Sequence, residues 1–408
     1  MQIANKKLIN FSLFYAIAIF AITLTTTSPI LIEISHTVSK DISQMGLLFT
    51  LFSTGFVVGS LLSGVLSKFF SKYSILMTTF LLQSVFLFIF SFSKTYIFAL
   101  TIYFIIGMSG GVSETLASIL LTEINKGKEG YYLNISQVFF GIGAFIGPYI
   151  SSTSIKLGTN WSAAYYIASA LAFINFAIFI SLKFKYAITI APATNTRFKG
   201  QPSNPSIDLK RWTLPTILIL SISSLAIFMY TASEAGLTVW LPTFLRIEKV
   251  MSNLESGQVL SFFWLAIAGG RLISGLLSNK INLAKLTIAL SIFGLIFVIL
   301  GLLASNKFIN FLSFLIAGFF YSGIWPNIVA YSSRYFDKNK DVAISIIITC
   351  AGAGALFAPW LVGVIYKHMN LLTGLLVCAV FLFIEMLLIL VLYLHISKNK
   401  NQKWHLYY

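Results

Sequence analysis

The sequence predicts an all-α membrane protein with twelve transmembrane helices in two pseudo-symmetric six-helix bundles. Of its 408 residues, 57% are hydrophobic and 10% charged, with a mean hydropathy of +0.87. A soluble chain of that composition would expose large apolar patches. Apolar runs recur along the whole length, many of them near about 20 residues, the helix length that crosses roughly 30 Å of hydrocarbon. Transmembrane β-strands would instead be about 10 residues long and alternate in polarity. Two pairs of segments also repeat at one fixed offset, which gives the two-bundle arrangement.

In chain order, span one is expected at roughly 8–32. It follows Lys6 and Lys7, is too long for a signal-peptide core and precedes no small-x-small cleavage pattern. Spans two and three, at roughly 45–67 and 73–92, flank a short basic loop with Lys68 and Lys72. Span four, at about 97–122, stops before Lys126 and Lys128, and span five, at about 131–155, carries Gly141, Gly143 and Pro148. Span six, at about 161–182, runs into Lys183 and Lys185. The second set falls at roughly 213–238, 257–279, 284–304, 308–333, 342–366 and 371–396. The N-terminal bundle is therefore 1–183 and the C-terminal bundle 213–396. The polar, proline-containing stretch 184–212 reads as a flexible cytoplasmic linker, and 397–408 as a cytoplasmic tail.

A formal charge of +16 raises nucleic acid as a partner, yet no dense basic block with interleaved aromatics lies outside the spans. The charge is explained by topology. Of the 28 Lys and Arg residues, 20 fall on the side of the termini and the long loop and 7 on the other, with Arg271 inside a span. Positive loops stay in the cytoplasm, so both termini are expected there. The expected location is a cell membrane, multi-pass. The abundance of Ile, Phe, Lys and Asn points to a bacterial inner membrane. Cys350 and Cys378 lie in apolar segments and suggest no disulfide framework.

The repeat is explicit. Gly59-Ser-Leu-Leu-Ser-Gly-Val-Leu-Ser67 aligns with Gly270-Arg-Leu-Ile-Ser-Gly-Leu-Leu-Ser278, a shift of 211 positions. At the same shift Gly141-Ile-Gly-Ala-Phe-Ile-Gly-Pro-Tyr149 falls on Gly352-Ala-Gly-Ala-Leu-Phe-Ala-Pro-Trp360. Parallel six-helix repeats suit a carrier in which one half rocks against the other and exposes a central site to each side in turn. Gly141, Gly143, Gly352 and Gly354 are expected to let helices approach closely, and Pro148 and Pro359 to bend them.

This plan, with its basic central loop, resembles the major facilitator superfamily over essentially the whole chain. The loop signature between spans two and three departs from that family's pattern. Lys68 stands where an aspartate is typical, and Asn279 takes that place in the second copy. Leu133-Asn-Ile-Ser-Gln-Val-Phe-Phe-Gly-Ile-Gly-Ala-Phe-Ile-Gly-Pro148 and Tyr230-Thr-Ala-Ser-Glu-Ala-Gly-Leu-Thr-Val-Trp-Leu-Pro242 are similar to the fucose/galactose/glucose:proton symporter group. The resemblance implies that an acid in span four serves as a proton and substrate site, and Glu114 is the matching residue. The fucose carriers of that group also have an aspartate in span one. Residues 8–32 contain no acid, so Glu114 and Glu234 would share the proton coupling.

Four ionisable residues sit well inside expected spans: Glu114, Glu234, Arg271 and Glu385. A charge at the middle of a transmembrane helix costs about 2.5–3.5 kcal/mol on insertion scales, so each needs a partner, a wet cavity or neutralisation. Desolvation favours the protonated form of a carboxylate, which is the chemistry a proton-coupled carrier requires. Glu114 lies about 12 Å of helix in from the end of span four. It is expected to be either such a site or a structural carboxylate bonded to Ser113 or Thr115. Glu234, with Tyr230 one turn before it and Trp240 beyond, offers a carboxylate and aromatic faces, a mixture that suits a polyol. Arg271 is expected to gate or latch, with its partner open. Glu385 has only apolar neighbours in sequence and is assigned a structural or assembly role. Asn134 and Gln137 on span five, with Trp325 and Asn327 on span ten, complete the expected substrate contacts, because amides hydrogen-bond hydroxyls from both sides.

Enzyme chemistry is disfavoured. Gly107-Met-Ser-Gly-Gly111 fits a serine-nucleophile pattern, but His36, His368, His395 and His405 all lie in loops, at helix ends or in the tail. No aspartate falls inside an expected span, and no His, Cys or Glu cluster has metal spacing. The reading is a secondary active transporter that imports a small polar solute, a sugar or related polyol, with a proton. It needs no cofactor, metal, nucleic acid or obligate protein partner beyond the lipid bilayer. The alternative is a proton-driven efflux antiporter of a drug or metabolite, because Gly143 to Pro148 is similar to the span-five antiporter motif.

Overall fold

The computed structural model describes residues 3–186, 214–278, 280–336 and 340–399, and contains no strand among them. Most of the expected linker, and the tail beyond residue 399, lie outside the described residues. The helices are α1 (Ile3–Thr26), α2 (Leu31–Thr37), α3 (Gly46–Leu66), α4 (Lys72–Phe90), α5 (Tyr96–Ile124), α6 (Glu129–Lys156) and α7 (Ser162–Tyr186). They continue with α8 (Leu214–Ile247), α9 (Asn253–Leu277), α10 (Leu283–Leu303), α11 (Lys307–Tyr321), α12 (Ile324–Ser333), α13 (Lys340–His368) and α14 (Leu371–Asn399). Twelve segments among the described residues are long and apolar enough to cross a membrane. The all-α fold of twelve membrane helices is as the sequence predicts.

Two spans are interrupted, and proline chemistry explains both. Span one gives way after Thr26 to a 3-10 turn, Ser28–Ile30, and resumes as α2. Pro29 in the first turn of that segment has no N–H to donate back to the preceding helix. Span ten breaks at Ser322 and Gly323, between α11 and α12. Pro326 lacks the N–H that would reach the Ser322 carbonyl, and its ring crowds that carbonyl. Span one accordingly runs to Thr37 rather than 32, which brings Glu33 into it. Span seven also runs further than expected, to Ile247, with Pro242 inside α8. Polar caps close several helix starts. Ser71 accepts from the Ser74 amide, and Asn282 and Asn306 each accept from two amides of the first turn.

The described chain divides into two compact units. The first comprises Met1–Lys199 and Val239–Ala268; the second comprises Gly200–Thr238 and Gly269–Tyr408. In the first unit, α3 and α5 approach backbone to backbone. A Cβ on Gly59 would overlap the Met108 carbonyl, and one on Gly111 the Phe56 carbonyl. Association of apolar helices in lipid rests on such close van der Waals packing, because lipid tails are as apolar as leucine. The α1–α5 seam is tied by a reciprocal amide pair, Asn10 with Asn125, at 3.1 and 2.9 Å. In the second unit Gly270 of α9 sits against the Phe319 carbonyl. Gly59 and Met108 shifted by 211 are Gly270 and Phe319. The offset read in the sequence is thus also an offset in packing. Pro148 and Pro359 both lie inside continuous helices, α6 and α13.

Candidate functional site

The glycines that seat α5 on α3 also position the first carboxylate. Gly110 faces the Phe20 ring and Gly111 faces α3. Glu114 follows them by one turn, so it emerges beside that low surface. It is half-buried. Among the described residues no side chain gives it a hydrogen bond or ion pair. The hydroxyls that could have anchored it are used elsewhere. Ser113 donates to the Gly110 carbonyl at 2.9 Å, and Thr115 Oγ1 lies 2.6 Å from Ser60 Oγ. Nearby, Phe20 stacks on Phe56 with ring centres 5.2 Å apart, and Phe140 lies 6.1 Å from Phe20.

The second carboxylate belongs to a polar cluster inside the second unit. Tyr230 and Glu234 are one turn apart on α8, so their side chains share a face. The Tyr230 hydroxyl lies 2.7 Å from Glu234 Oε1 and 2.9 Å from the backbone carbonyl oxygen of Tyr321, the last residue of α11. The Tyr321 hydroxyl pairs with Ser233 Oγ at 2.8 Å, and the two tyrosine rings lie 5.8 Å apart. Arg271 follows Gly270 on α9 and belongs to the same unit. Gly270 lets α9 lie against Phe319 and Ser322, at the break in span ten.

The other expected contacts fall as follows. Asn327 of α12 is 4% exposed, and its amide nitrogen has no hydrogen-bond partner among the described residues; Trp325 beside it is half-buried. Both belong to the second unit, with Tyr230 and Glu234. Trp240 is fully buried and belongs to the first unit. Asn134 and Gln137 are exposed on α6. Glu385 is fully buried and, contrary to its apolar sequence surroundings, has a polar companion: Ser291 of α10 donates to its Oε2 at 2.6 Å. Its other oxygen has no hydrogen-bond partner among the described residues.

Sequence reasoning missed a third polar constellation. In the first unit, Arg246 near the end of α8 meets Glu33 of α2 through both guanidinium nitrogens, at 2.8 and 3.0 Å. The Pro29 carbonyl, at the interruption of span one, accepts from Arg246 Nη1 at 3.3 Å and from Asn253 Nδ2 at 2.9 Å. Ser28 donates to the Val239 carbonyl at 2.6 Å. The available signal was Pro29 inside a hydrophobic run, with an acid four residues on. Chemically, the clusters offer carboxylates, phenols, an amide and a guanidinium, groups that exchange protons and bind hydroxyls. No group of three or more His, Cys, Asp or Glu placed to hold a metal occurs among the described residues.

Comparison with known proteins agrees with this architecture. Residues 13–316 and 285–404 match the model of the Major Facilitator Superfamily. The chain is 24% identical over 395 residues to the glucose/mannose transporter GlcP of Bacillus subtilis (strain 168), covering 95% of this chain and 94% of that protein. It is 24% identical over 367 residues to the protein TsgA homolog of Buchnera aphidicola subsp. Baizongia pistaciae (strain Bp), covering 89% and 90%. Among solved structures, a bacterial homolog of the human lysosomal transporter Spinster superposes with a TM-score of 0.78 at 14% identity, over 100% of both chains. A mutant of the nucleoside transporter NupG gives 0.78 at 12% identity, over 95% of this chain and 100% of that one. At such identities the structural likeness concerns the fold.

Proposed function

Because this chain belongs to the major facilitator superfamily and is a multi-pass membrane transporter rather than an enzyme, we propose that it carries a sugar or related polyol together with a proton, by alternating access. The observation that carries this reading is Glu114, a half-buried carboxylate in mid-span with no protein partner among the described residues. An ionised acid in that position costs about 2.5–3.5 kcal/mol, so a group kept there without a cation is suited to taking up and releasing a proton. Glu234 adds a second acid with the Tyr230 phenol beside it, in the same unit as Arg271. Such a set binds hydroxyls as donors and acceptors at once. The Bacillus subtilis relative, named for glucose and mannose, supports a sugar as the solute.

In the proposed cycle a proton loads onto Glu114 or Glu234 from outside, the solute binds, and the neutral carrier reorients. Proton loss to the cytoplasm then resets it. Asn134, Gln137, Trp325 and Asn327 are the further candidate contacts, and Arg271 is the candidate gating residue. The excess of basic residues in the loops shared with the termini supports a cytoplasmic side for both termini. In that orientation Glu33 and Arg246 lie at the outer face.

The test has two stages. Purified protein is melted against a panel of sugars, polyols, nucleosides and amino acids, since a ligand that binds only the folded state raises its stability. The stabilising solute is then followed into proteoliposomes under an imposed pH gradient. A hexose or polyol that stabilises the protein and accumulates with inward proton flow is the expected result. Stabilisation only by amphiphilic drugs, with transport opposite to the proton, would replace this reading with efflux.

A further inference from the structure

Tyr230 has one phenolic proton and two oxygens within reach of it. The backbone carbonyl of Tyr321 can only accept, and so can an ionised Glu234; a protonated Glu234 can also donate. With the acid ionised, the single proton serves either the contact at 2.7 Å or the one at 2.9 Å, and the other becomes two lone pairs facing each other. With the acid protonated, the chain closes without conflict. Glu234 donates to Tyr230 Oη, and Tyr230 donates to the Tyr321 carbonyl.

We propose that Tyr230 is a positioning residue that couples proton occupancy of Glu234 to the interruption of span ten at Ser322 and Gly323. The inference rests on the proton-coupled reading given above and assigns the element that responds to the proton. Deprotonation turns the Tyr230 hydroxyl toward the carboxylate and releases the end of α11. Protonation ties α11 back to α8. Only O–H bonds are made and broken, and the proton comes from and returns to water.

The groups facing this relay come from several helices. From α9, the charged Arg271 stands next to Gly270, which packs against Ser322 and the Phe319 carbonyl. From α11, Tyr321 presents its carbonyl to the relay while its hydroxyl pairs with Ser233 of α8. From α14, Cys378 packs against Gly236 of α8, and one Glu385 oxygen is held by Ser291. The break itself is poised to respond, because Pro326 leaves the Ser322 carbonyl without its usual helical donor. Gly270 and Gly323 allow α9 to lie directly against the two break residues.

The experiment is hydrogen exchange across residues 319–327 of the full chain in nanodiscs, at one mildly alkaline pH, for wild type, E234Q, Y230F and the double variant. The glutamine amide donates to Tyr230 Oη as the protonated acid does, so E234Q holds the closed chain permanently. E234Q is expected to slow exchange in this segment by about three- to tenfold, the factor one ordinary net hydrogen bond is worth. Y230F is expected to abolish that difference. Equal exchange in wild type and E234Q, or a difference that persists undiminished in the Y230F background, overturns the proposal. If Y230F does not fold, the wild-type and E234Q pair decides alone. Proton-driven uptake by the same variants reconstituted into proteoliposomes separates the two claims. Coupled exchange without proton-driven uptake refutes the transport reading and leaves the relay standing, and the converse refutes the relay alone.

Discussion

Arg246 grips Glu33 with both terminal guanidinium nitrogens and also reaches the Pro29 carbonyl, while Asn253 donates to that same carbonyl. The break that Pro29 creates in span one is therefore held by side chains from the end of α8 and the start of α9. Bidentate guanidinium–carboxylate pairs are among the stronger charged contacts. The side chains are 19% and 20% exposed, between the surface and buried regimes. R246A is expected to cost about 1–3 kcal/mol, because it leaves Glu33 and Pro29 short of their donor. The charge-reversed pair E33R/R246E should recover part of that loss. Thermal unfolding of the purified variants checks both, and an unchanged R246A melting curve contradicts the latch.

The glycine seams give a contrast between neighbours. A Cβ at Gly59 overlaps the Met108 carbonyl, whereas one at Gly64, five residues on in the same helix, meets nothing within 4 Å. G59A is expected to destabilise by about 1–3 kcal/mol, since backbone cannot move aside as a side chain can. G64A should be neutral or slightly stabilising, because alanine is the better helix former. Equal effects at the two sites would refute the backbone-to-backbone seam.

Glu385 and Ser291 form a buried pair with one donor for the carboxylate. S291A removes that donor and is expected to cost about 1–3 kcal/mol, the penalty for an unsatisfied buried polar group. Transport per folded molecule should stay at the wild-type level, since the proposed cycle makes no use of this pair. Melting temperature and initial uptake rate, measured on the same preparation, separate the two effects.

Asn327 keeps a buried amide nitrogen that no group among the described residues satisfies. N327L is expected to leave stability unchanged or raise it by about 1 kcal/mol by relieving that burial. Binding of glucose, followed by calorimetry, should weaken by about tenfold, the loss of one good polar contact. Destabilisation without any change in binding would assign Asn327 to the architecture instead.

The number of spans and the duplication were legible because both rest on local quantities, run length and a fixed offset. Gly59 and Gly270 could be paired on paper, and they make equivalent contacts in the two units. The interruptions were not legible, because Pro29 and Pro326 lie inside apolar runs whose hydropathy continues unbroken. That is why Glu33, one residue past the expected end of span one, was overlooked. Glu114, Glu234 and Arg271 stood out because charge in a span is rare. Their partners did not: Tyr321 reaches Tyr230 across 91 residues, and Ser291 reaches Glu385 across 94.

The central claim is that Glu114 takes up and releases the coupling proton. The most direct measurement is uptake of radiolabelled glucose, or of whichever solute stabilises the protein, into proteoliposomes containing E114Q, with and without an imposed proton gradient. The account predicts that E114Q exchanges solute down its own gradient as wild type does but fails to accumulate it when the proton gradient is applied. Accumulation by E114Q at the wild-type level would contradict it.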